Sequence, residues 1–508
     1  MATTPNNPRA AAADRWWWPL VLAITLAALV MRLIGAQESP AGDELYLLEI
    51  IHGRSFSSML HAVVNQEKTP PVGFVLSWLS AKLGNDQTWM RAPSVIAGTA
   101  LVPVAALLAR RAFSAAAGLA AAALVAVSPF LLFYGIESRS YALTALLTTA
   151  SALLLLAACE RGGWRRWIGW ALLVAAAILT HYTAIFVIFV EIIWALWTQP
   201  RSRRRLIAAC GGALLIVAAW IPSFITQFSH AGDEARRIAL SAPLSIDTLT
   251  GISGRALIGH PLGVANGTQS LSEIPGTVGL LLILAGVGTA AGLSLLEVLR
   301  RRSSGEAIAR PSATTGLLIG LALAAPVGLL LASLQPDRSL LLSRNLITSV
   351  PPLLILVAAL LTRIPAPASL AATALTVAGL GIGSVHELSS SGRPDLRSAA
   401  KAIEQRWRPG DLILEAMYFS GPPLDRDLAI QLNPVTERSL LLTRTSGLRP
   451  FARPIKVGSS IFTVTAAVGY STGVLEAPKQ LKGRYQLIWS ERWNGYVPVF
   501  AGQWQRIK

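Results

Sequence analysis

The sequence predicts a mainly α, polytopic helical membrane protein carrying a small external α/β domain at its C-terminal end. Three observations predict it. Of the 508 residues, 53% are hydrophobic and only 14% charged. Apolar runs of the length that crosses a hydrocarbon core roughly 30 Å thick recur through residues 1–385. From residue 386 onward the runs stop, and shorter helix-like and strand-like segments alternate. A soluble core does not need so many runs of that length. The net charge of +17 falls largely in short turns between runs, which is a topological signal and not a stripe suited to nucleic acid. Cys159 and Cys210 each lie in or beside an apolar run, so neither a disulfide framework nor a cysteine metal cluster is indicated.

The elements follow in order. The polar opening "MATTPNNPRAAAADR" reads as disordered. The first run has no small-residue cleavage site and reads as a retained anchor. Spans are expected near 16–35, 92–109, 112–134, 140–158, 165–181, 182–198, 205–222, 275–297, 313–334, 345–362 and 367–384, eleven in all. Alternate turns hold Arg110 and Arg111, then Arg161, Arg165 and Arg166, then "RSRRR" at 201–205, then Arg300, Arg301, Arg302 and Arg310, then Arg363. The opposite turns hold little basic charge beyond Arg139, Arg338 and Arg344. The positive-inside rule makes the first set cytoplasmic, with the N-terminus inside and the C-terminal domain outside.

"PPVGFVLSWLSAKLG", 70–84, tests that threading, since a crossing there would invert every later turn. It is short and begins with two prolines, so it reads as an interfacial or re-entrant helix within a first external loop, 36–91. "ELYLLEIIHG" and "FSSMLHAVV" ahead of it read as surface helices. A second external loop, 223–274, contains "HAGDEARR" and is too polar to cross. In the domain 386–508, "RPDLRSAAKAIEQRW" reads as a helix, and "DLILEAMYF", "RYQLIWSER" and "VPVFAGQW" as strands. The chain thus divides into a transmembrane domain, 1–385, and an external α/β domain, 386–508.

On the external side, polar groups gather in five places. They are Asp43 and Glu44 after the first span, Glu67 and Lys68 in "NQEKTPP", and Glu137, Arg139 and Tyr141 in "YGIESRSYAL". His181 and Tyr182 in "LTHYTAIF" and Arg344 in "SRNLITSVPP" complete the set. Each has a bland reading beside the functional one. Adjacent acids at a membrane exit are ordinarily solvated loop, an exposed Glu–Lys pair is worth little, and arginines near helix ends snorkel. An interfacial histidine is commonly only a satisfied core group. Their convergence on one face is the pattern of a site built on the loops of a helical scaffold. Glu191, in the middle of a span, has no assigned partner or role.

The motifs "GDE", "EKTPP", "YGIESRSYAL", "THY" and "SRNL…PP", in this order, resemble the bacterial GT-C glycosyltransferases that use polyprenyl-phosphate sugars. The nearest branches are the protein O-mannosyltransferase-like enzymes and the aminoarabinose transferases that modify lipid A. "MRAPSVIAGTALVPVAALLARRAF" and "RPDLRSAAKAIEQRWRPGDLIL" are similar to segments of the same family, and the resemblance runs to about residue 415. It implies transfer of a sugar from a polyprenyl-phosphate carrier to an acceptor hydroxyl outside the membrane, on a cell-envelope glycan, lipid or protein. It implies Asp43 as catalytic base and Glu137 as a second catalytic acid residue. Glu44, Glu67, Lys68, Arg139, Tyr141, His181, Tyr182 and Arg344 are then substrate-binding, with the arginines and Lys68 about the carrier phosphate. Asn345 stands where the family commonly has tyrosine. Members differ on metal use, which leaves a divalent ion open. The rival readings are a lipid or sugar transporter, and a non-catalytic envelope assembly protein.

Overall fold

The computed structural model describes residues 8–40, 43–229, 244–259, 275–306, 310–334, 339–389, 395–408, 411–415, 460–466, 485–493 and 499–506. Helix α1 (Pro8–Gly35) starts within the opening that read as disordered. "RAAAAD" explains the difference, because alanine is the best helix former. The first loop holds α2 (Asp43–Ile51), α3 (Phe56–Gln66), α4 (Val72–Ala81) and α5 (Asp86–Trp89). Helix α4 has ten residues, about 15 Å, half the thickness of a hydrocarbon core.

The helical bundle continues with α6 (Ala92–Ala112), α7 (Ala115–Val127), α8 (Pro129–Ile136), α9 (Tyr141–Arg161), α10 (Trp164–Ile178), α11 (Ala184–Thr198) and α12 (Arg203–Ala218). Then come α13 (Ile221–Ser229), α14 (Ile246–Ile258), α15 (Gly276–Ser303), α16 (Ala313–Ala332), α17 (Val350–Arg363) and α18 (Ala366–Ser389). Every predicted span contains a helix, yet not every helix is long enough to cross. Among the described residues six are long and apolar enough, or up to eight if each bent pair is one span, against the eleven expected. The apolar runs include turn residues that the helices give up: α10 keeps 15 residues and α17 keeps 14.

Nor is the run 112–134 one straight helix. It bends by 59° where α7 meets α8, because Pro129 has no N–H to continue the ladder. The Leu131 N–H turns to the Ser128 hydroxyl at 3.4 Å, and the carbonyl of Val127 accepts the Ser384 hydroxyl at 2.8 Å. "HAGDEARR", 230–237, lies outside the described residues.

Alanine-rich faces let the central helices approach closely. Helix α6 packs on α7 and α9, α9 on α10, and α17 on α7 and α16. A Cβ on Gly118 of α7 would lie 2.8 Å from the Ala106 carbonyl of α6. Trp17 closes one end of this core, donating its Nε1–H to the Ala115 carbonyl at 3.0 Å beneath the Arg110 guanidinium. Glu191, which lacked a partner in the sequence, has two: the Ser151 hydroxyl donates to one carboxylate oxygen at 2.7 Å and the Trp170 Nε1–H to the other at 2.8 Å. The carboxyl group staples α9, α10 and α11.

The chain forms two compact units. One comprises Met1–Ala36, Arg54–Gly84 and Trp89–Glu387; the other comprises Gln37–Gly53, Asn85–Thr88 and Leu388–Lys508. In the second unit, α19 (Leu396–Glu404) precedes a sheet of β1 (Leu412–Glu415), β2 (Ser460–Ala466), β3 (Tyr485–Trp493) and β4 (Val499–Arg506). The strand order is β1-β2-β4-β3, with β1 parallel to β2 and the other pairs antiparallel. The expected helix and three strands are present. Strand β2, "SIFTVTA", went unread although it is rich in β-branched residues. The buried carboxylate of Asp411 accepts the N–H groups of Arg408 and Ser460 at 2.9 and 2.6 Å, tying the end of α19 to β2. Arg397 of α19 donates to the Gln37 carbonyl at 2.7 Å, which draws the start of the first loop into the same unit.

Candidate functional site

The ten candidate residues fall into two groups. Asp43 and Glu44 open α2 in the second unit. Their carboxylates lie in the first turn, where unpaired N–H groups and the helix dipole favour negative charge. The neighbours differ in access: Glu44 is fully buried, while Asp43 stays partly exposed.

The remaining eight belong to the first unit, and local structure explains how it gathers several of them. Helix α8 ends at Ile136, the N–H of Glu137 after it still bonds the Phe133 carbonyl, and α9 begins at Tyr141. The turn between them carries Arg139. Gly135 precedes it because the Arg32 side chain fills the space beside it: a Cβ there would come within 2.6 Å of the Arg32 Nε. The turn is held by Ser94 of α6, whose hydroxyl donates to the Arg139 carbonyl at 3.0 Å. Gly73 of α4 lies so close that a Cβ would meet the Ser140 Cβ at 2.8 Å. The Val72 N–H, after the paired prolines, donates to the Leu179 carbonyl at 3.0 Å and joins α4 to the end of α10.

Arg139 and Glu67 form the centre of this arrangement. Both Nη atoms donate to the carboxylate, one to each oxygen, at 3.0 and 3.1 Å. Each side chain is 10% exposed, and the guanidinium lies over the Phe74 ring at 5.2 Å. A fork-to-fork pair of this kind fixes orientation as well as charge. Lys68, next in the chain, is half-buried.

His181 lies in the turn between α10 and α11, outside both helices. Its Nδ1 lies 2.8 Å from the Thr183 hydroxyl and accepts the Thr183 N–H at 3.3 Å. Burial first, and then the positive charges of Arg139 and Arg344, push the ring down to about 3. At neutral pH the imidazole is therefore uncharged, and its proton sits on Nε2, since Nδ1 is an acceptor. The ring stands 5.5 Å from that of Tyr141, which meets Tyr134 edge-on at 4.8 Å. Arg344 lies in the 3₁₀ turn Ser343–Leu346, against which α14 packs. Asn345, where a tyrosine was expected, spends its amide on the Leu340 carbonyl at 2.8 Å.

Tyr182 points elsewhere. Its hydroxyl donates to Gln227 Oε1 at 2.5 Å and accepts the Trp220 Nε1–H at 3.1 Å. Neither Gln227 nor Trp220 was singled out in the sequence. Gln227, between Thr226 and Phe228 in "FITQF", belongs to no motif.

Comparison with known proteins now bears on these features. Residues 68–225 match the family model described as dolichyl-phosphate-mannose-protein mannosyltransferase. The structure is similar to that of ArnT from Cupriavidus metallidurans bound to undecaprenyl phosphate, with TM-score 0.57 and 14% identity over 96% of this chain and 98% of that one. The apo state of ArnT matches over the same shares with TM-score 0.55 and 15% identity. The chain has the GT-C membrane fold. No curated protein matches the sequence. On this GT-C frame the family match covers Lys68, Glu137, Arg139, Tyr141, His181 and Tyr182, leaving Asp43, Glu44, Glu67 and Arg344 outside it.

Among the described residues no group of three or more His, Cys, Asp or Glu converges. Both oxygens of Glu67 are engaged by Arg139.

Proposed function

We propose that this protein is an integral-membrane glycosyltransferase that moves a sugar from a polyprenyl-phosphate carrier to an acceptor hydroxyl on the extracytoplasmic side. The observation that carries the reading is the buried Glu67–Arg139 lock beside Lys68, with the buried His181 ring 5.5 Å from that of Tyr141, which opens the helix after the Arg139 turn. Lys68 and Arg344 add positive charge beside the neutral Glu67–Arg139 pair, which suits a lipid-phosphate leaving group. The GT-C fold and the family match at 68–225 point the same way, and the similar ArnT structure holds undecaprenyl phosphate. The arginine-rich turns support a cytoplasmic N-terminus and an extracytoplasmic α/β unit, with the chain in the inner or plasma membrane.

The chemistry is a displacement with inversion. A carboxylate takes the proton from the acceptor hydroxyl as its oxygen attacks the anomeric carbon. The bond from that carbon to the carrier's phosphate oxygen breaks, and the electron pair leaves with the phosphate. Asp43 is the base, on its motif and on the access that Glu44 lacks. Glu137 orients the acceptor. Lys68 and Arg344 meet the growing negative charge, one as a point charge and the other as a planar fork. Arg139 spends its fork on Glu67, so its part is to hold the Lys68 segment, while burial above all keeps His181 neutral. Neutral His181 then offers Nε2–H to an oxygen acceptor without adding charge. No step is routed through a metal.

The test is purified protein in lipid nanodiscs supplied with radiolabelled polyprenyl-phosphate sugars and candidate envelope acceptors. The parental protein is expected to transfer label, and Asp43→Asn to lose at least a hundredfold in rate while melting normally. A folded Asp43→Asn variant that transfers at the parental rate removes Asp43 from the role of base.

A further inference from the structure

One side chain far away in sequence fixes both ends of the segment that carries Glu67 and Lys68. Gln227 of α13 is 3% exposed and packed against α3. Its Nε2 donates to the Val63 carbonyl and to the Thr69 carbonyl, each at 3.0 Å. Its Oε1 accepts the Tyr182 hydroxyl at 2.5 Å. Two carbonyls can only receive, so the amide's orientation is set by its neighbours, and all of these bonds are made at once.

Both carbonyls matter to the chain between them. Val63 O also accepts the Glu67 N–H at 3.2 Å, which is the closing bond of α3. Thr69 immediately precedes Pro70 and Pro71, which bring no N–H of their own to anchor the chain. Water could serve either carbonyl separately, but it would not tie one to the other. The amide therefore sets the end-to-end separation of residues 63–69, while Arg139 sets the orientation of Glu67 within them. The half-buried Lys68 rides on a backbone held at both ends.

We infer that Gln227 is a positioning residue that acts through Lys68, holding its ammonium where a lipid phosphate is received. The inference rests on the functional reading above and deepens it. Gln227 is neutral, so its effect is separable from the charges of the pair beside it. A displacement of about 1 Å at a phosphate-binding cation is enough to cost binding and rate heavily.

The experiment uses full-length protein in nanodiscs, with undecaprenyl phosphate as the probe and its dissociation constant as the readout. Gln227→Glu removes the donors while keeping an acceptor for Tyr182, and Gln227→Met removes all polar atoms at similar length. If the glutamate variant does not fold, the methionine variant decides. Either is expected to weaken binding tenfold or more. On a Lys68→Met background the Gln227→Met change is expected to cost nothing further. Wild-type affinity in both Gln227 variants, or a Gln227→Met loss that adds in full to that of Lys68→Met, overturns the inference. A wild-type protein with no affinity for the probe overturns the functional reading itself, and the inference with it.

Discussion

Replacing Glu67 by glutamine should damage the protein more than replacing its partner. The pair is bidentate, with contacts of 3.0 and 3.1 Å and side chains 10% exposed. Charge centres at about 4 Å attract by about 4 kcal/mol at an effective dielectric constant of 20. Desolvation offsets much of that, so the net worth of the pair is far smaller than its rupture. Breaking a buried pair costs about 3–5 kcal/mol, because the remaining charge is left without compensation. The two partners differ in how they can respond. A carboxyl group deprived of its cation can take up a proton, while a guanidinium deprived of its anion cannot shed one. Glu67→Gln is therefore expected to cost about 3 kcal/mol and Arg139→Met about 1–2. The double variant should cost less than the sum by about 2 kcal/mol or more. Denaturant unfolding of the four proteins in mild detergent, followed by tryptophan fluorescence, measures the cycle. Single costs below about 0.5 kcal/mol that simply add would refute the argument that this pair is buried and coupled.

Three further outcomes follow from the same geometry. The ring of His181 is held down to about 3, whereas in the unfolded chain it titrates near 6.5. As pH falls below about 6.5 the unfolded chain takes up a proton that the folded one refuses, so stability present above that pH is lost on acidification, by up to about 1.4 kcal/mol per pH unit. Melting curves should show a steeper loss between pH 6.5 and 4.5 for the wild type than for His181→Asn. At neutral pH, His181→Gln presents an N–H near the Nε2 position and should keep more lipid-phosphate affinity than His181→Asn; the reverse order in a binding titration refutes the donor role. For Glu191, leucine should cost about 1–3 kcal/mol by stranding the Trp170 N–H. Glutamine, which can still bond both neighbours, should cost less than about 1 kcal/mol in the same unfolding assay.

Much of the architecture was legible because its causes are local. The apolar runs and the arginines between them report where chain meets lipid and headgroups, and each run did contain a helix. The count of long helices fell short because hydropathy does not mark where a turn takes residues from a run, as at α10 and α17. Pro129 was visible in the sequence as a breaker, but not the 59° bend or the Ser384 hydroxyl that a distant helix brings to the Val127 carbonyl.

For the site, the sequence by itself determined which chemical groups are present, and it raised the expectation that five clusters of them share one side of a membrane. That follows from helix length and the alternation of turns. Only the tertiary structure decided what each group is free to do. Arg139 looked like a phosphate cation until Glu67, 72 positions away, was found across both its Nη atoms. His181 is uncharged because of burial and two arginines brought to it by other helices. Gln227 gave no pattern at all, since its partners lie 158 and 164 positions away. Hydrophobic periodicity is written in neighbouring residues, whereas pairing, protonation and positioning depend on which side chains the packed bundle brings together.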